Sequence, residues 1–238
     1  MASIDSSNSD RRVGKTSRAQ IIVEYVKEQI LRSRWNAGER VDDSVIAEEL
    51  GVSRNSVREA MAQLVALRVL EKRQWRGYYI PRLTWEDIEH TIDIRKDLEL
   101  LAMRHFLDRV TPESLDEIAE SLHRSETDLE ASDAEAFEKS DYRIHEIIHA
   151  QSGNPWIPHL ISQTKFFIDR LRRLDKKRNF REVAEASIAE HWQIWRAISD
   201  GNRDEALRIL DFQIERHRNR LREVVITEAE ESTPVEET

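Results

Sequence analysis

The chain of 238 residues contains no cysteine, which excludes disulfide bonds and thiolate metal sites and suits a reducing compartment. No apolar run approaches the roughly 20 residues that a membrane-spanning helix requires, and residues 1–17 lack the apolar core of a signal peptide. Glycine and proline are scarce, at 6 and 5 residues, whereas 35% of the residues are charged. These features predict a soluble, mostly helical, cytoplasmic protein, and the length favours two domains.

The net charge of −9 is unevenly distributed along the chain. Residues 1–83 contain 15 Lys and Arg against 11 Asp and Glu, a balance of +4, and residues 84–238 contain 22 against 35, a balance of −13. Binding to phosphates is electrostatic, so the first part is the candidate for contact with nucleic acid. The change of sign predicts a domain boundary near residue 83.

The segment 46–64 carries the most informative pattern. A short apolar-faced helix ends near Leu50, Gly51 suits a helix end that needs positive φ, and Ser53 suits an N-cap. A second helix follows, and the residues at its outward-facing start are of the types that contact bases and phosphates in a major groove: Arg54, Asn55, Ser56, Arg58 and Glu59. An ordinary helical hairpin with a solvated polar face is the alternative.

Two short runs of strand-forming residues come next, at 69–70 and 78–80. Arg73 and Arg76 flank or occupy the turn between them, and Gly77 permits a close backbone approach. This pattern predicts a β-hairpin wing. Trp75 differs from the other five tryptophans, which are scattered like core or interface residues, because exposure at the wing would place it against DNA or the other domain.

In this order and spacing, residues 18–82 resemble the GntR family of bacterial transcription regulators. The resemblance rests on the opening helix at 21–33, Ala37-Gly-Glu-Arg40, Leu50-Gly-Val-Ser-Arg54, Val57-Arg-Glu-Ala60 and the Arg76-Gly77 wing. It implies a winged helix-turn-helix that binds double-stranded DNA. The implied DNA-contacting residues are Arg40, Ser53, Arg54, Asn55, Ser56, Arg58, Arg73, Arg76 and Gly77.

Beyond residue 83 the pattern predicts helix after helix and no strand. The fold class is therefore mainly α, with a winged helix-turn-helix and a bundle of six or seven helices over 84–226. The helices are expected near 84–91, 93–109, 112–130, 133–151, 155–173, 182–200 and 203–225, with Thr84 and Asp87 as a capping box at the start. The polar arm 1–17 and the acidic tail 227–238 have little to bury and are predicted to be disordered.

The helical part resembles the FCD domain, the effector domain of one large GntR subfamily. The resemblance rests on Ile94-Arg95…Leu98-Glu99…Ala102, Asp141-x-x-x-His145, Ser152-Gly-Asn-Pro155 and Ser187-x-x-Glu190-His191. It implies an effector-binding and dimerisation domain in which Asp141, His145 and His191 hold a divalent metal, zinc or nickel. Spacing alone places only Asp141 and His145 on one helix face, which also occurs on solvated surfaces, and His149 repeats the spacing.

One position departs from the FCD pattern. The family has a further histidine on the last helix, about twelve residues beyond the glycine of the preceding turn, and counting from Gly201 reaches Gln213. Glutamine is a poorer ligand than imidazole for zinc or nickel, and His217 lies one turn later. The metal site is therefore completed by Gln213 or water, shifted towards His217, or lost.

In each case a polar cavity for a small carboxylate effector remains. The expected effector-binding residues are Arg95, Asp141, His145, His191 and Gln213. The guanidinium fork of Arg95 matches a carboxylate, although a structural ion pair with Asp97 or Glu99 would occupy the same group.

The sequence thus predicts a ligand-responsive transcription regulator that binds a palindromic operator as a homodimer. Repression is the commoner mode in the resembled family, and the residues themselves do not decide the direction. The alternative is a metal-dependent enzyme with two histidines and one carboxylate, fused to a DNA-binding head, but no nucleophile-and-base set or phosphate loop accompanies it. A purely structural helical adaptor leaves the wing unexplained.

Overall fold

The computed structural model describes residues 17–82 and 84–231, and at 171–179, 224 and 226–231 it describes the backbone alone. The chain divides into two compact units, Met1–Arg82 and Leu83–Thr238, each with its own buried apolar side chains. The predicted arm lies outside the described residues except for Ser17. The predicted acidic tail overlaps the last helix at 227–231 and otherwise lies outside them. The mainly helical fold class with a small wing is confirmed.

The first unit combines helices with a small antiparallel sheet. In chain order its elements are α1 (Arg18–Leu31), β1 (Arg40–Val41), α2 (Asp43–Leu50), α3 (Arg54–Ala66), β2 (Glu71–Arg73) and β3 (Gly77–Tyr79). Strand β3 lies between β1 and β2, and its Tyr79 pairs with both Arg40 and Glu71. The wing is therefore fastened along both edges of β3.

The wing hairpin begins later than predicted. The segment 69–70, expected to be a strand, is instead buried in the core, with Val69 and Leu70 each 2% exposed and their N–H groups directed at the Leu64 carbonyl. The apolar side chains that suggested a strand at Val69 and Leu70 instead fill the core of the first unit. The two-residue strand β1 was not predicted, because it is too short to show a period.

The turn between α2 and α3 is confirmed. Gly51 ends α2 with a φ of 62°, and Ser53 caps α3 by accepting a hydrogen bond from the Ser56 N–H. The apolar stripe of α3, which recurs at helical spacing, is fully buried at Val57, Ala60, Met61 and Leu64. Burial of that stripe turns the opposite face of α3 outward.

The second unit is a helical bundle whose described elements are α4 (Trp85–Leu107), α5 (Pro112–Glu130), α6 (Ala134–Gln151), α7 (Trp156–Ser199) and α8 (Arg203–Glu231). The Thr84 capping box is confirmed, and α5, α6, α7 and α8 begin at the predicted breaks. The breaks expected near residue 92 and between 173 and 182 do not occur, so α4 and α7 are continuous. The stretch 174–181 contains no glycine or proline, and its Lys and Arg residues are good helix formers.

One apolar core joins all five of these helices. Its fully buried members include Phe106 from α4, Leu122 from α5, Ile144 from α6 and Ile194 from α7, with Leu210 contributed by α8. This packing places the polar inner faces of α4, α6, α7 and α8 beside one another. Within the described residues, no helix combines the length and apolar character needed to cross a bilayer.

Candidate functional site

The start of α3 presents two arginines on the surface of the first unit. Arg54 and Arg58 lie one turn apart, and each side chain is more than half exposed. Asp43, in the first turn of α2, accepts from both, with its oxygens 3.4 Å from Arg54 Nη2 and 2.9 Å from Arg58 Nε. One carboxylate therefore holds two guanidinium groups side by side, and each keeps further N–H donors for a partner.

The uncharged residues at this helix start differ in their use. The Ser53 hydroxyl accepts the Ser56 N–H at 3.2 Å and lies 2.9 Å from the Ser56 hydroxyl. Asn55 is exposed. The two serines therefore serve the helix start, and Asn55 presents its amide to solvent.

Three arginines surround Gly77 in the wing. Gly77 has a φ of 96°, which favours glycine, and Arg40 Nε lies 3.4 Å from the position that a Cβ would occupy there, so Arg40 packs directly against this backbone. Arg73 forms an ion pair with Glu71. Across residues 17–82 and the rest of the described chain, Arg76 has no ion-pair partner. The wing therefore presents a cationic surface with one uncommitted arginine.

Helices α4, α6, α7 and α8 enclose a cavity of about 90 Å³ in the second unit. A single water needs roughly 10–15 Å³ by the same measure, so the cavity has room for several waters or one small organic anion. All five predicted effector-binding residues line it: Arg95, Asp141, His145, His191 and Gln213.

The structure brings Asp141, His145 and His191 together. The Nε2 atoms of His145 and His191 lie 3.2 Å apart, and Asp141 Oδ1 lies 3.2 Å from His191 Nδ1. Ser187 donates a hydrogen bond of 2.8 Å to the same carboxylate oxygen. Asp141 therefore faces the nitrogen of His191 that points away from His145.

A second polar group lies on the other side of His145. Glu99 Oε2 lies 3.5 Å from His145 Nδ1 and 2.6 Å from His149 Nε2, and Glu99 Oε1 accepts from Arg95 Nε at 3.1 Å. Arg95 Nη2 also donates to the Tyr142 hydroxyl at 3.3 Å, whereas its buried Nη1 has no hydrogen-bond partner. Arg95 thus forms the structural ion pair with Glu99 and keeps one donor for a ligand.

Glu99 and His149 are not among the predicted site residues. Their sequence signal is the spacing of four that links Arg95 to Glu99 and His145 to His149 on two helices. That spacing predicts a shared face but not which helices meet, so it could not identify the pair.

Burial and neighbouring groups together set the charge states of His145 and Glu99 at the centre of the cavity. It lowers the pKa of His145 to about 4, outweighing the opposing effect of Glu99. Burial raises the pKa of Glu99, but the charge of His149, hydrogen bonds from both histidines and the charge of Arg95 hold it well below its usual value. At neutral pH His145 is therefore a neutral imidazole beside an ionised carboxylate.

His145 and His191 fit a divalent metal. Two imidazole nitrogens on tetrahedral zinc lie about 3.3 Å apart, close to the 3.2 Å between the Nε2 atoms of His145 and His191. Asp141 occupies the place of a carboxylate that orients a ligating histidine through its other nitrogen. Glu99 and His149 also offer ligand atoms that lie within 4.8 Å of one in His145. However, the 2.6 Å contact between Glu99 Oε2 and His149 Nε2 is a hydrogen bond, and it is shorter than the distance between two ligand atoms on one metal ion.

Gln213 reaches the cavity from α8. Its buried Oε1 has no hydrogen-bond partner, an arrangement that costs about 1–3 kcal/mol unless a donor or cation approaches. His217, one turn later, and Arg220 also line the cavity, together with Arg216, which pairs with Glu190 at 2.8 Å. The last helix therefore contributes a carbonyl oxygen and an imidazole, with two arginines beside them.

Two family models match the chain. The model described as bacterial regulatory proteins, gntR family, matches residues 18–80. The model described as the FCD domain matches residues 90–216, which is more than half of the chain. Both agree with the resemblances found in the sequence.

Individual relatives extend over most of the chain. The uncharacterized HTH-type transcriptional regulator YdhC of Bacillus subtilis (strain 168) is 27% identical over 183 residues, 76% of this chain and 80% of its own length. The galactonate operon transcriptional repressor of Escherichia coli (strain K12) is 25% identical over 235 residues, 89% and 99% of the two lengths. The solved structure of E. coli McbR/YncC has a TM-score of 0.74 at 22% identity, covers 87% of this chain and 98% of that one, and shows the same fold.

The lowered pKa of His145 predicts how stability depends on pH in metal-free protein. The unfolded chain takes up this proton near pH 6.5 and the folded chain only near pH 4, so the stabilisation is complete above 6.5 and about 3 kcal/mol of it is lost as pH falls to 4. Urea unfolding at several pH values, with chelator present, measures the slope. His145→Asn should flatten it as pH falls below 6.5.

The matched control is His90→Asn, which removes an exposed histidine of α4 and should leave the slope as in wild type. Equal slopes in wild type and His145→Asn would contradict the prediction.

Proposed function

The chain belongs to the GntR family of bacterial regulatory proteins and carries an FCD domain, and we propose that it is a ligand-responsive repressor that binds a two-fold-related operator as a homodimer. DNA binding and transcription regulation follow from the family, and the alternative of a metal-dependent enzyme has no support among the relatives, which are regulators. Because a bacterial operator lies in the cytoplasm, we propose that the protein acts there. Repression is proposed because relatives such as the galactonate operon repressor act in that way.

The observation that carries the DNA-binding proposal is the alignment of Arg54 and Arg58 by Asp43. Two guanidinium groups held one turn apart at the start of a helix match the base edges and phosphates of a major groove. Asn55 adds an amide of the type that recognises adenine. The uncommitted charge of Arg76 and the glycine beside it suit contact between the wing and the DNA backbone.

The effector proposal rests on the donors that converge in the cavity. The free Nη1 of Arg95 and the imidazoles of His145 and His191 suit a small carboxylate, and Gln213 offers an acceptor to a hydroxyl or to a metal. Polar groups that converge on one small cavity fix the orientation of a bound molecule and are typical of small-molecule sites. A small organic acid is therefore the proposed class of effector.

We include zinc or nickel in this proposal, held by His145 and His191, with Asp141 as a ligand or as the carboxylate that orients His191. Gln213 or water would complete the set. When bound, the metal supplies a positive centre that strengthens binding of an anionic effector. In support of this proposal, His145 is a neutral imidazole, and the 3.2 Å between its Nε2 and that of His191 suits such a metal.

Regulation then requires that the effector bind two states of the protein with different affinity. A ligand with equal affinity for both states shifts neither population, however tightly it binds. The cavity is lined from four helices, so occupancy favours the arrangement in which those helices enclose the ligand. The two states are the operator-bound form and the effector-bound form.

Arg54→Ala and Arg58→Ala should each weaken operator binding. Loss of a good base contact lowers affinity for the specific duplex by about 1–3 kcal/mol, whereas loss of a phosphate contact weakens all duplexes and flattens the salt dependence. The measurement is fluorescence anisotropy on specific and scrambled duplexes at two salt concentrations. Arg32→Ala, which removes an exposed arginine at the C-cap of α1 that is paired with Glu28, is the control and should bind as wild type. Unchanged affinity in both variants would remove α3 as the recognition helix.

Gln213→His should tighten divalent metal binding, because it adds an imidazole from the last helix to those of His145 and His191. His191→Ala should abolish binding, and Asp141→Ala should abolish it or, if that residue only orients the ring, weaken it 10- to 100-fold. Elemental analysis and zinc titration of the purified proteins measure this. Gln163→His, which adds a histidine at an exposed position of α7, is the control. No binding by wild type or Gln213→His would refute the metal site, and tight wild-type binding unaffected by Gln213→His would assign the last ligand to His217 or water.

A small organic acid should raise the melting temperature when a panel is screened with and without zinc, since a ligand at 100 times its Kd stabilises by about 2.7 kcal/mol. Arg95→Lys should then lower the affinity for that acid by roughly 10-fold, because lysine keeps the charge beside Glu99 but loses the free Nη1. Calorimetric titration measures the loss. Arg208→Lys, an exposed position on α8, should behave as wild type, and equal affinity in Arg95→Lys would remove Arg95 from the effector site.

A further inference from the structure

The tip of the wing carries a fully exposed aromatic side chain. Trp75 is 96% exposed, the highest value among the large apolar residues in the described parts of the chain, and the next, Trp156, is 66% exposed. Tryptophan is usually extensively buried, because its ring offers a large apolar surface. An indole held in water therefore indicates a surface that binds a partner.

The backbone at the tip does not explain the choice of tryptophan. The turn is closed by the Arg76 N–H, which donates to the Arg73 carbonyl at 3.0 Å, and Trp75 adopts a φ of 63° within it. Turn positions with positive φ favour glycine or asparagine, and a bulky residue there is strained. Stability of the hairpin would be served better by a smaller residue, so the indole contributes something other than folding.

Charge identifies the class of partner. Arg73 and Arg76 flank Trp75 in the turn, and Arg40 lies beside Gly77 directly after it. The guanidinium of Arg73 lies over the Tyr79 ring, and within residues 17–82 no side chain stacks on the indole of Trp75. An unstacked aromatic ring on a hairpin that carries three arginines matches a nucleic acid, which offers phosphates to the cations and bases or sugars to the ring.

We propose that Trp75 is an aromatic wedge that enters the DNA minor groove beside the site bound by α3 and inserts partly between two base pairs. The proposal rests on the DNA-binding function proposed above. The minor groove, about 6 Å wide, admits a flat ring although it excludes a helix, and apolar wedges there unstack base pairs and bend the duplex. Pyrimidine–purine steps unstack most easily, so Trp75 confers a preference for such a step beneath the wing.

The test uses the full chain and an operator selected by the wild-type protein from a random duplex library. Trp75→Asn keeps a residue suited to positive φ and should lower operator affinity roughly 5- to 100-fold, the range for loss of one aromatic–base stack, without lowering the melting temperature. Trp75→Phe should retain an intermediate affinity. Repeating the selection with Trp75→Asn should lose the pyrimidine–purine step while retaining the bases read by α3.

Fluorescence gives a direct readout. The difference between wild-type and Trp75→Phe emission isolates Trp75 from the other five tryptophans, and this difference should be quenched when the operator binds. Trp156→Asn, which removes the exposed tryptophan of α7, is the matched control and should leave affinity and sequence preference unchanged.

The outcomes separate this inference from the proposed function. If wild type selects no sequence and Arg54→Ala binds DNA as wild type does, the DNA-reading proposal fails and the wedge fails with it. If Arg54→Ala weakens binding but Trp75→Asn retains affinity, sequence preference and bend, the wedge alone is refuted. A Trp75→Asn variant that binds the operator normally but changes its mass in solution would assign the indole to a protein interface and would also overturn the inference.

Discussion

The interior of the helical unit depends on one buried carboxylate. Glu99 is 3% exposed, and an ionised carboxyl group without partners at such a position would cost several kcal/mol. Arg95 on its own helix and His149 on α6 offset that cost, and His145 faces the same oxygen as His149. The carboxylate therefore joins α4 to α6 by charge as well as by packing. It also lies 3.5 Å from Nδ1 of His145, the ring whose Nε2 faces His191.

An acidic residue has a comparable part in the DNA-binding unit, with different energetics. Asp43 pairs with Arg54 and Arg58, but both arginines are more than half exposed, and exposed ion pairs contribute only about 0–1 kcal/mol to stability. The value of the arrangement lies in geometry, because it limits the positions of two long side chains before the DNA that we propose they contact is bound. Less conformational entropy is then lost on binding. A carboxylate that pairs with cationic groups therefore stabilises the fold at Glu99, whereas at Asp43 it pre-organises two surface arginines.

The extent to which each feature could be predicted follows the range of the interactions that define it. Helix starts at Thr111, Asp133 and Gly201 were predictable, because capping and positive φ depend on neighbouring residues. The break expected within α7 was wrong, since the charged stretch at 174–181 resembles a loop in composition although it contains no helix breaker. The first wing strand was placed two residues early, because Val69 and Leu70 are apolar residues that the tertiary core buries.

The sequence by itself determined the class of fold and the family, because local spacing and motif order define both, and it offered Arg54, Arg58, Asp141, His145 and His191 as candidate site residues. Only the tertiary structure decided how those groups face one another. It placed Asp141 on the far nitrogen of His191, paired Glu99 with His149, lowered the pKa of His145 to about 4 and left Gln213 Oε1 without a partner. These properties arise from contacts between different helices, such as the one that joins Glu99 and His149 across 50 positions of the chain, and from burial. Neither is encoded in any short window of the chain.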